Sequence, residues 1–243
     1  MKLALRALPL SFQGELFNIK LIQFSLDVAE AIEYLPAGFT PLTVRGRAIV
    51  SLANVQLHRM RLTWMPQPLG FNYRHVAFRF LIDDTRFNPK ASGPAIFFVK
   101  TFTDRPLLAR AADWLTYYRV TPARITTTPS GMLLEQGDNR IAYTLAEGPA
   151  DPKLHGPAFS DWDQATAIVK PLDHAYGVTP QGGVVITRVL RPGWPVQPMQ
   201  VLNFSTTFFK TAQLECGFQI QERVPYIWKA PVSVALYRDQ PCE

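Results

Sequence analysis

The sequence predicts a mostly β fold of the α+β class. One domain over residues 1–243 is expected, built on a curved or closed antiparallel β-barrel-like sheet with two or three short helices. Three observations carry this. Strand-like segments recur along most of the chain, several with period-two alternation. Helical periodicity is confined to a few short stretches. Proline (21) outnumbers glycine (14), which suits strand ends and turns rather than long helices. At 47% hydrophobic and 18% charged, the 243 residues hold enough apolar material for a sizeable core and too little charge for a disordered chain.

The first twelve residues, MKLALRALPLSF, mimic a signal peptide only weakly. Arg6 interrupts the apolar stretch and no small-residue cleavage site follows, so the segment reads as mature protein. A helix is predicted over Ser25–Tyr34, with Ser25 or Asp27 as N-cap, and the Leu35-Pro36 step should end it. Arg45–Trp64 reads as one long strand or two, followed by Tyr73–Ile82 and Ala95–Phe102. A second helix opens at Thr103-Asp104-Arg105-Pro106. Thr103 or Asp104 can cap it, Pro106 suits the first turn, and Leu107, Leu108, Ala111, Ala112 and Leu115 keep helical spacing to about Thr116. Further strands are expected at Ala123–Thr128, Met132–Glu135, Arg140–Ala146, Gly183–Leu190, Val201–Lys210, Leu214–Arg223 and Val232–Tyr237. Gly131 and Gly137-Asp138-Asn139 mark hairpin turns. Glu147–Gly182 breaks the rhythm. It is rich in Pro, Gly, Asp and His, with a weak helical stretch around Asp161–Val169, and its length suits a functional segment such as a lid.

Composition narrows the function classes. No apolar run approaches the ~18–20 residues of a membrane span, so no membrane partner is expected. Two cysteines, Cys216 and Cys242, do not make a disulfide framework, and a reducing, cytoplasmic setting is the simpler reading. Cys216 sits in a strand pattern and reads as a core thiol. The net charge is +6, but Lys and Arg are scattered, which argues against a nucleic-acid partner and leaves anionic small molecules open. There is no Gly-rich phosphate loop and no G-x-S-x-G elbow. His58, His75, His155 and His174 lack metal-ligand spacing and neither cysteine has a CxxC partner, so no metal and no cofactor are expected.

The most informative segment is Tyr73–Ile82. With period two, Val76, Phe78, Phe80 and Ile82 share one face, and Tyr73, His75 and Arg79 share the other. In a sandwich the second face would meet solvent. In a barrel whose outside is covered it would point into the lumen. There His75 would titrate near neutral pH, and Arg79 could hold a carboxylate in bidentate fashion. Tyr117-Tyr118-Arg119 forms a second cluster after the second helix. Such tyrosines usually pack, and they can line a pocket when their hydroxyls find partners.

The order of these signals resembles the acetoacetate decarboxylase-like superfamily over most of the chain. Gly14-Glu15-Leu16-Phe17-Asn18-Ile19 is similar to that family's N-terminal N-R-E-Y-F-N-I type segment. A helix ending in a Leu/Val-Pro step follows, here Leu35-Pro36, and a strand running into a Gly/Ala-Arg helix, here Ala109-Arg110. The resemblance implies the fold and a site in the barrel lumen. The family's three Pro-Lys-Lys positions fall on Thr116, Tyr117 and Tyr118, its active-site glutamate near His75, and its N-terminal arginine on Gly14. The Schiff-base lysine is therefore absent, and imine-based decarboxylation is not the expected reaction. Lys100 lies in the strand before the helix and reads as a surface or packing residue. The chain looks closest to an uncharacterised bacterial branch of the superfamily, through His75-Val76-Ala77-Phe78-Arg79 and the Tyr-Tyr pair.

Three functional readings follow. The first is binding of a small carboxylate or keto compound in the lumen, with or without turnover by a lysine-free or degenerate enzyme. Arg79, Arg110 and Tyr73 would bind the ligand, and His75, Tyr117 and Tyr118 would act as acid/base and carbonyl-polarising groups. The second is a non-catalytic carrier or sensor of a small apolar ligand, which 29 aromatic residues would suit (16 Phe, 5 Trp, 8 Tyr). The third is a partner-binding module or homo-oligomer, with Val201–Phe209 and Pro225–Trp228 as an exposed edge.

Overall fold

Both faces of the strand Phe12–Asp27 are buried toward its C-terminal half, and the rest of the fold is arranged around it. The structure is a computed structural model that describes residues 8–89, 93–147, 151–170, 172–192 and 194–235. The first strand, β1 (Phe12–Asp27), leads directly into α1 (Val28–Tyr34). The short strands β2 (Thr40–Pro41) and β3 (Thr43–Val44) precede β4 (Arg47–Leu62), which passes through a 3-10 turn at Gln67–Leu69 into β5 (Phe71–Asp83). Next come β6 (Ala95–Thr103), α2 (Pro106–Leu115) and β7 (Val120–Pro122). A meander follows, β8 (Arg124–Thr128), β9 (Gly131–Gln136) and β10 (Asn139–Leu145), then α3 (Trp162–Val169), β11 (His174–Val178) and β12 (Val184–Leu190). The chain continues through β13 (Gln197–Met199), β14 (Val201–Thr206), β15 (Gln213–Ile220), β16 (Val224–Trp228) and β17 (Val232–Ser233).

Seven strands close a barrel in the order β1-β16-β12-β11-β6-β5-β4, with β4 pairing back onto β1. The ring is antiparallel except for the parallel β6–β11 pair. The β1–β4 ladder runs from Phe12↔Leu62 to Asp27↔Arg47, and shifts register between Phe17 and Lys20 around Asn18, which has φ 49°. A second left-handed residue, Arg59 at φ 53°, lies in the register shift between Leu57 and Met60. Bulges of this kind raise local twist and bend long strands, as closure requires.

The two faces of the barrel wall bury different cores. Outside, Phe24, Leu52, Val76, Phe78 and Phe80 pack against Leu134, Ile141 and Tyr143 of the separate sheet β14-β10-β9-β8. Inside, Leu21, Ala53, Val55, Leu81 and Ile96 form the lumen core. Ala165 and Val169 of α3 join that inner core with Val44, Ile49 and Leu81, at the ends of β4 and β5 remote from the hairpin that joins them. Glu215, 1% exposed, ties down the chain before α3: it accepts from the Ser25 hydroxyl (2.6 Å) and the Ala158 amide (3.0 Å). Residues 151–170 thus close the far end of the barrel, and β11 follows from His174.

The mostly β barrel with three helices agrees with the sequence reading, and the hairpin turns lie where the glycines placed them. Several boundaries differ. Residues 25–27 extend β1, and Asp27 stands at the N-cap of α1 without a side-chain cap bond; its carboxylate pairs with Arg47 at 2.6 Å instead. The N-cap of α2 is Arg105, because Asp104 accepts from the Arg74 amide (3.0 Å), while Pro106 opens the helix as expected. Strand β14 stops at Thr206, and Phe208 and Phe209 turn into the outer core. Pro225–Trp228 belongs to barrel strand β16 and not to an exposed edge. Residues 1–7 of the N-terminal segment, Tyr237 and Cys242 lie outside the described residues. Cys216 is fully buried in the inner core. No helix among the described residues is long and apolar enough to cross a membrane.

Candidate functional site

One cavity of about 310 Å³ occupies the barrel lumen. Its floor and walls come from alternate residues of the ring strands: Tyr73, His75, Ala77 and Arg79 on β5, Ala53, Val55 and Leu57 on β4, Tyr226 and Trp228 on β16. Leu108, Ala111, Ala112 and Leu115 of α2 form one wall near the β4–β5 hairpin. Phe71 both lines the cavity and is 54% exposed, which places the mouth beside it. None of the described residues of 147–182 is among the lining.

The period-two reading of β5 therefore puts three expected residues, Tyr73, His75 and Arg79, around one cavity, and Tyr118 joins them. Arg79 is 6% exposed. One of its terminal nitrogens, Nη2, donates to the Ser51 hydroxyl at 2.7 Å, while its Nε finds no partner among the described residues. Ser51 Oγ also accepts from Gln23 Nε2 at 3.0 Å, so the guanidinium is held from below. Arg191, just beyond β12, stacks 4.3 Å from the Trp194 ring centroid and donates to the Leu172 carbonyl. Trp194 also lines the cavity, with its buried indole N–H unpartnered among the described residues.

Among the described residues the lining contains three arginines, Arg61, Arg79 and Arg191, and no Asp, Glu or Lys. Burial, and then the neighbouring Arg191, pull Arg79 down to about 9, which leaves it a cation at neutral pH. Burial also lowers Arg191, opposed by Tyr226 and Asp173. Tyr73 is raised to about 12 by burial, and burial likewise raises Tyr118 and Tyr226. The site is a set of hydrogen-bond donors and fixed cations in an apolar shell, with no carboxylate among the described lining residues.

His75 departs from its expected behaviour. Burial first, and then the charge of Arg79, push it down to about 4, so it is neutral at physiological pH rather than titrating there. The sign of the linkage is definite. Below about 6.5 the unfolded chain binds a proton that the folded imidazole refuses, so stability falls as pH drops from about 6.5 to about 4. The full difference amounts to roughly 3 kcal/mol. Urea midpoints at pH 7 and pH 4 should show His75→Gln losing less stability than wild type by about that amount; equal losses would refute the assignment.

Other expected residues lie elsewhere. Arg110 is exposed, on a face of α2 turned from the cavity wall formed by Leu108, Ala111 and Ala112, and it does not line the cavity, whereas Arg191 does. Tyr117 does not line the lumen: its Cβ lies against Gly177, outside the cavity. Lys100 is turned outward by the register shift between Phe78 and Arg79, and its Nζ lies 5.8 Å from the Phe208 ring in the outer core. Gly14, at the family's arginine position, has Met60 Sδ at 2.5 Å and the His58 carbonyl at 2.7 Å from where a Cβ would stand, so no side chain fits. Arg191, Trp194 and Tyr226 were missed. A period-two reading of Val224–Trp228 would have placed Tyr226 and Trp228 on one face; nothing in the local sequence marks Arg191. Among the described residues, no group of three or more His, Cys, Asp or Glu could hold a metal ion.

The profile of the family DUF2071, described as an uncharacterized conserved protein, matches residues 15–233, and the chain belongs to that family. No curated protein matches it by sequence. Solved structures do. An acetoacetate decarboxylase-like enzyme from Sphingomonas wittichii RW1 is similar at 12% identity and TM-score 0.56, covering 93% of this chain and 92% of its own. The enduracididine biosynthesis enzyme MppR complexed with pyruvate is similar at 12% identity and TM-score 0.56, covering 95% and 91%. The acetoacetate decarboxylase from Legionella pneumophila subsp. pneumophila str. Philadelphia 1 is similar at 11% identity and TM-score 0.53, covering 93% and 88%. The fold is thus the acetoacetate decarboxylase-like one expected from the sequence.

Proposed function

We propose that this member of the DUF2071 family binds a small organic carboxylate or keto acid inside its barrel, with Arg79 as the anchor and without a Schiff base. The observation that carries the reading is the buried guanidinium of Arg79, with its Nε unpartnered and no carboxylate lining the cavity, both among the described residues. Taking such a cation out of water costs several kcal/mol, and an uncompensated one is retained where a ligand anion offsets the cost. MppR complexed with pyruvate is an example of this fold holding a small keto acid, which supports the same use here.

In this reading Arg79 takes the carboxylate in charge-assisted hydrogen bonds and Arg191 adds a second cation. Tyr73, Tyr226 and neutral His75 offer hydrogen bonds to the remaining ligand oxygens, and Tyr118 packs the wall between Phe98 (5.0 Å) and Trp228 (5.1 Å). Donors aimed at a carbonyl oxygen polarise it. Among the described residues no lysine lines the cavity, which supports binding without an imine, and His75, lowered to about 4, is too weak a base to take a proton at pH 7. That last observation favours a second reading, a carrier or sensor that releases its ligand unchanged. Calorimetric titration of pyruvate and butyrate, followed by NMR of the recovered ligand, tests both. Saturable binding is expected. Absence of binding by any carboxylate would overturn the proposal, and a changed ligand would overturn the carrier reading.

A further inference from the structure

We infer that the ligand class is an amphipathic monocarboxylate, an acid with an aliphatic tail rather than a short polar keto acid. The inference rests on the carboxylate reading above and narrows it. The two buried cations Arg79 and Arg191 lie at one end of the barrel lumen, and the apolar wall runs from them to the mouth, where the third lining arginine, Arg61, is tied to the Arg59 and Met65 carbonyls beside Met60 and Phe71. Arg79 lies eight residues beyond Phe71 on the uninterrupted strand β5, about 27 Å at the usual strand rise. Between them the cavity is walled by Val55, Leu57, Met60 and by Leu108, Ala112 and Leu115 of α2. At about 30 Å³ for each water-sized group, a cavity of about 310 Å³ has room for far more than a three-carbon acid. A short polar acid on Arg79 would leave the apolar wall facing trapped water. A chain with a carboxylate at one end covers it.

The mouth continues the same character. Phe71 is 54% exposed, and its neighbours along the hairpin, Trp64 and Leu69, are 74% and 57% exposed. On α2, Leu107 (79%) and Trp114 (69%) flank the lining residues Leu108 and Leu115. A tail longer than the cavity would leave across apolar side chains rather than into bare water. Exposed hydrophobics grouped beside a cavity opening mark a contact surface for apolar matter.

The test is a calorimetric series on the wild-type protein with acetate, butyrate, hexanoate and octanoate, beside hexan-1-ol and octan-1-ol as uncharged controls, all below their aggregation limits. Affinity should rise about fourfold for each methylene added, the fold-change that corresponds to about 0.8 kcal/mol. The alcohols should bind at least tenfold more weakly than the acids of equal length. Carboxylates that bind with affinity independent of chain length would overturn the amphipathic ligand and leave the carboxylate reading standing. Alcohols that bind as tightly as acids would overturn the carboxylate reading itself.

Discussion

Arg79→Met should weaken carboxylate binding at least about thirtyfold while leaving the protein at least as stable as wild type. The two effects have one cause. Arg79 is a buried cation whose only protein hydrogen bond among the described residues is to Ser51, and a second arginine stands close enough to lower its proton affinity. Replacing a buried ion with an apolar side chain of similar length is commonly neutral or stabilising by about 1–4 kcal/mol. Ser51 keeps its donor from Gln23 (3.0 Å), so the substitution strands little below it. Binding should suffer in proportion to the lost charge pair. Truncating one partner of a desolvated, hydrogen-bonded pair costs about 2–5 kcal/mol, a loss of about thirtyfold to several thousandfold in affinity. Urea unfolding and titration of hexanoate on the same samples check both halves. A variant less stable by 3 kcal/mol that binds normally would make Arg79 a structural residue and end the account.

Phe78→Ala should do the reverse, lowering stability by about 3–5 kcal/mol and leaving the site intact. Phe78 points away from the lumen, between cavity-facing Ala77 and Arg79, and is fully buried. Its ring meets Phe209 at 5.0 Å, Phe208 at 5.2 Å, Phe24 at 6.0 Å and Phe102 at 6.1 Å. These rings join the barrel wall to the segment after β14. Truncation leaves a cavity that four aromatic neighbours cannot fill without leaving their rotamers. A lower urea midpoint with an unchanged hexanoate dissociation constant for the folded fraction is expected. A loss below 1 kcal/mol would mean that the outer core is not packed as described.

The contrast between these neighbours explains what the sequence made legible. In β5, Val76, Phe78, Phe80 and Ile82 mark one face at period two, which leaves Tyr73, His75 and Arg79 together on the other, with apolar Ala77 and Leu81 beside them. β1 carries no such signal. Leu21 packs inward and Ile22, Phe24 and Leu26 outward, so a doubly buried strand reads as an apolar run, and its end resembles the start of α1. β16 is obscured by Pro225, whose missing N–H usually counts against a strand. β11 lies inside a loop-like composition and is recruited by parallel pairing with β6, which no local pattern reports. Arg191 was illegible for a related reason: it stands after the last residue of β12, and only closure of the ring brings it to Arg79. His75 was found in place but not in state. Its proton affinity is set by burial and by Arg79, which are tertiary facts. A bound anion would offset the second of these, so His75 should gain a proton more readily in the complex.

In the proposed function the barrel holds an anion on Arg79. A crystal structure of the protein with 6-bromohexanoate tests it most directly, because anomalous scattering from the bromine fixes the tail independently of the head. The carboxylate oxygens should lie within about 3 Å of the Arg79 guanidinium, with the bromine toward Phe71. A ligand whose carboxylate sits at the mouth or outside the barrel, with Arg79 untouched, would contradict it.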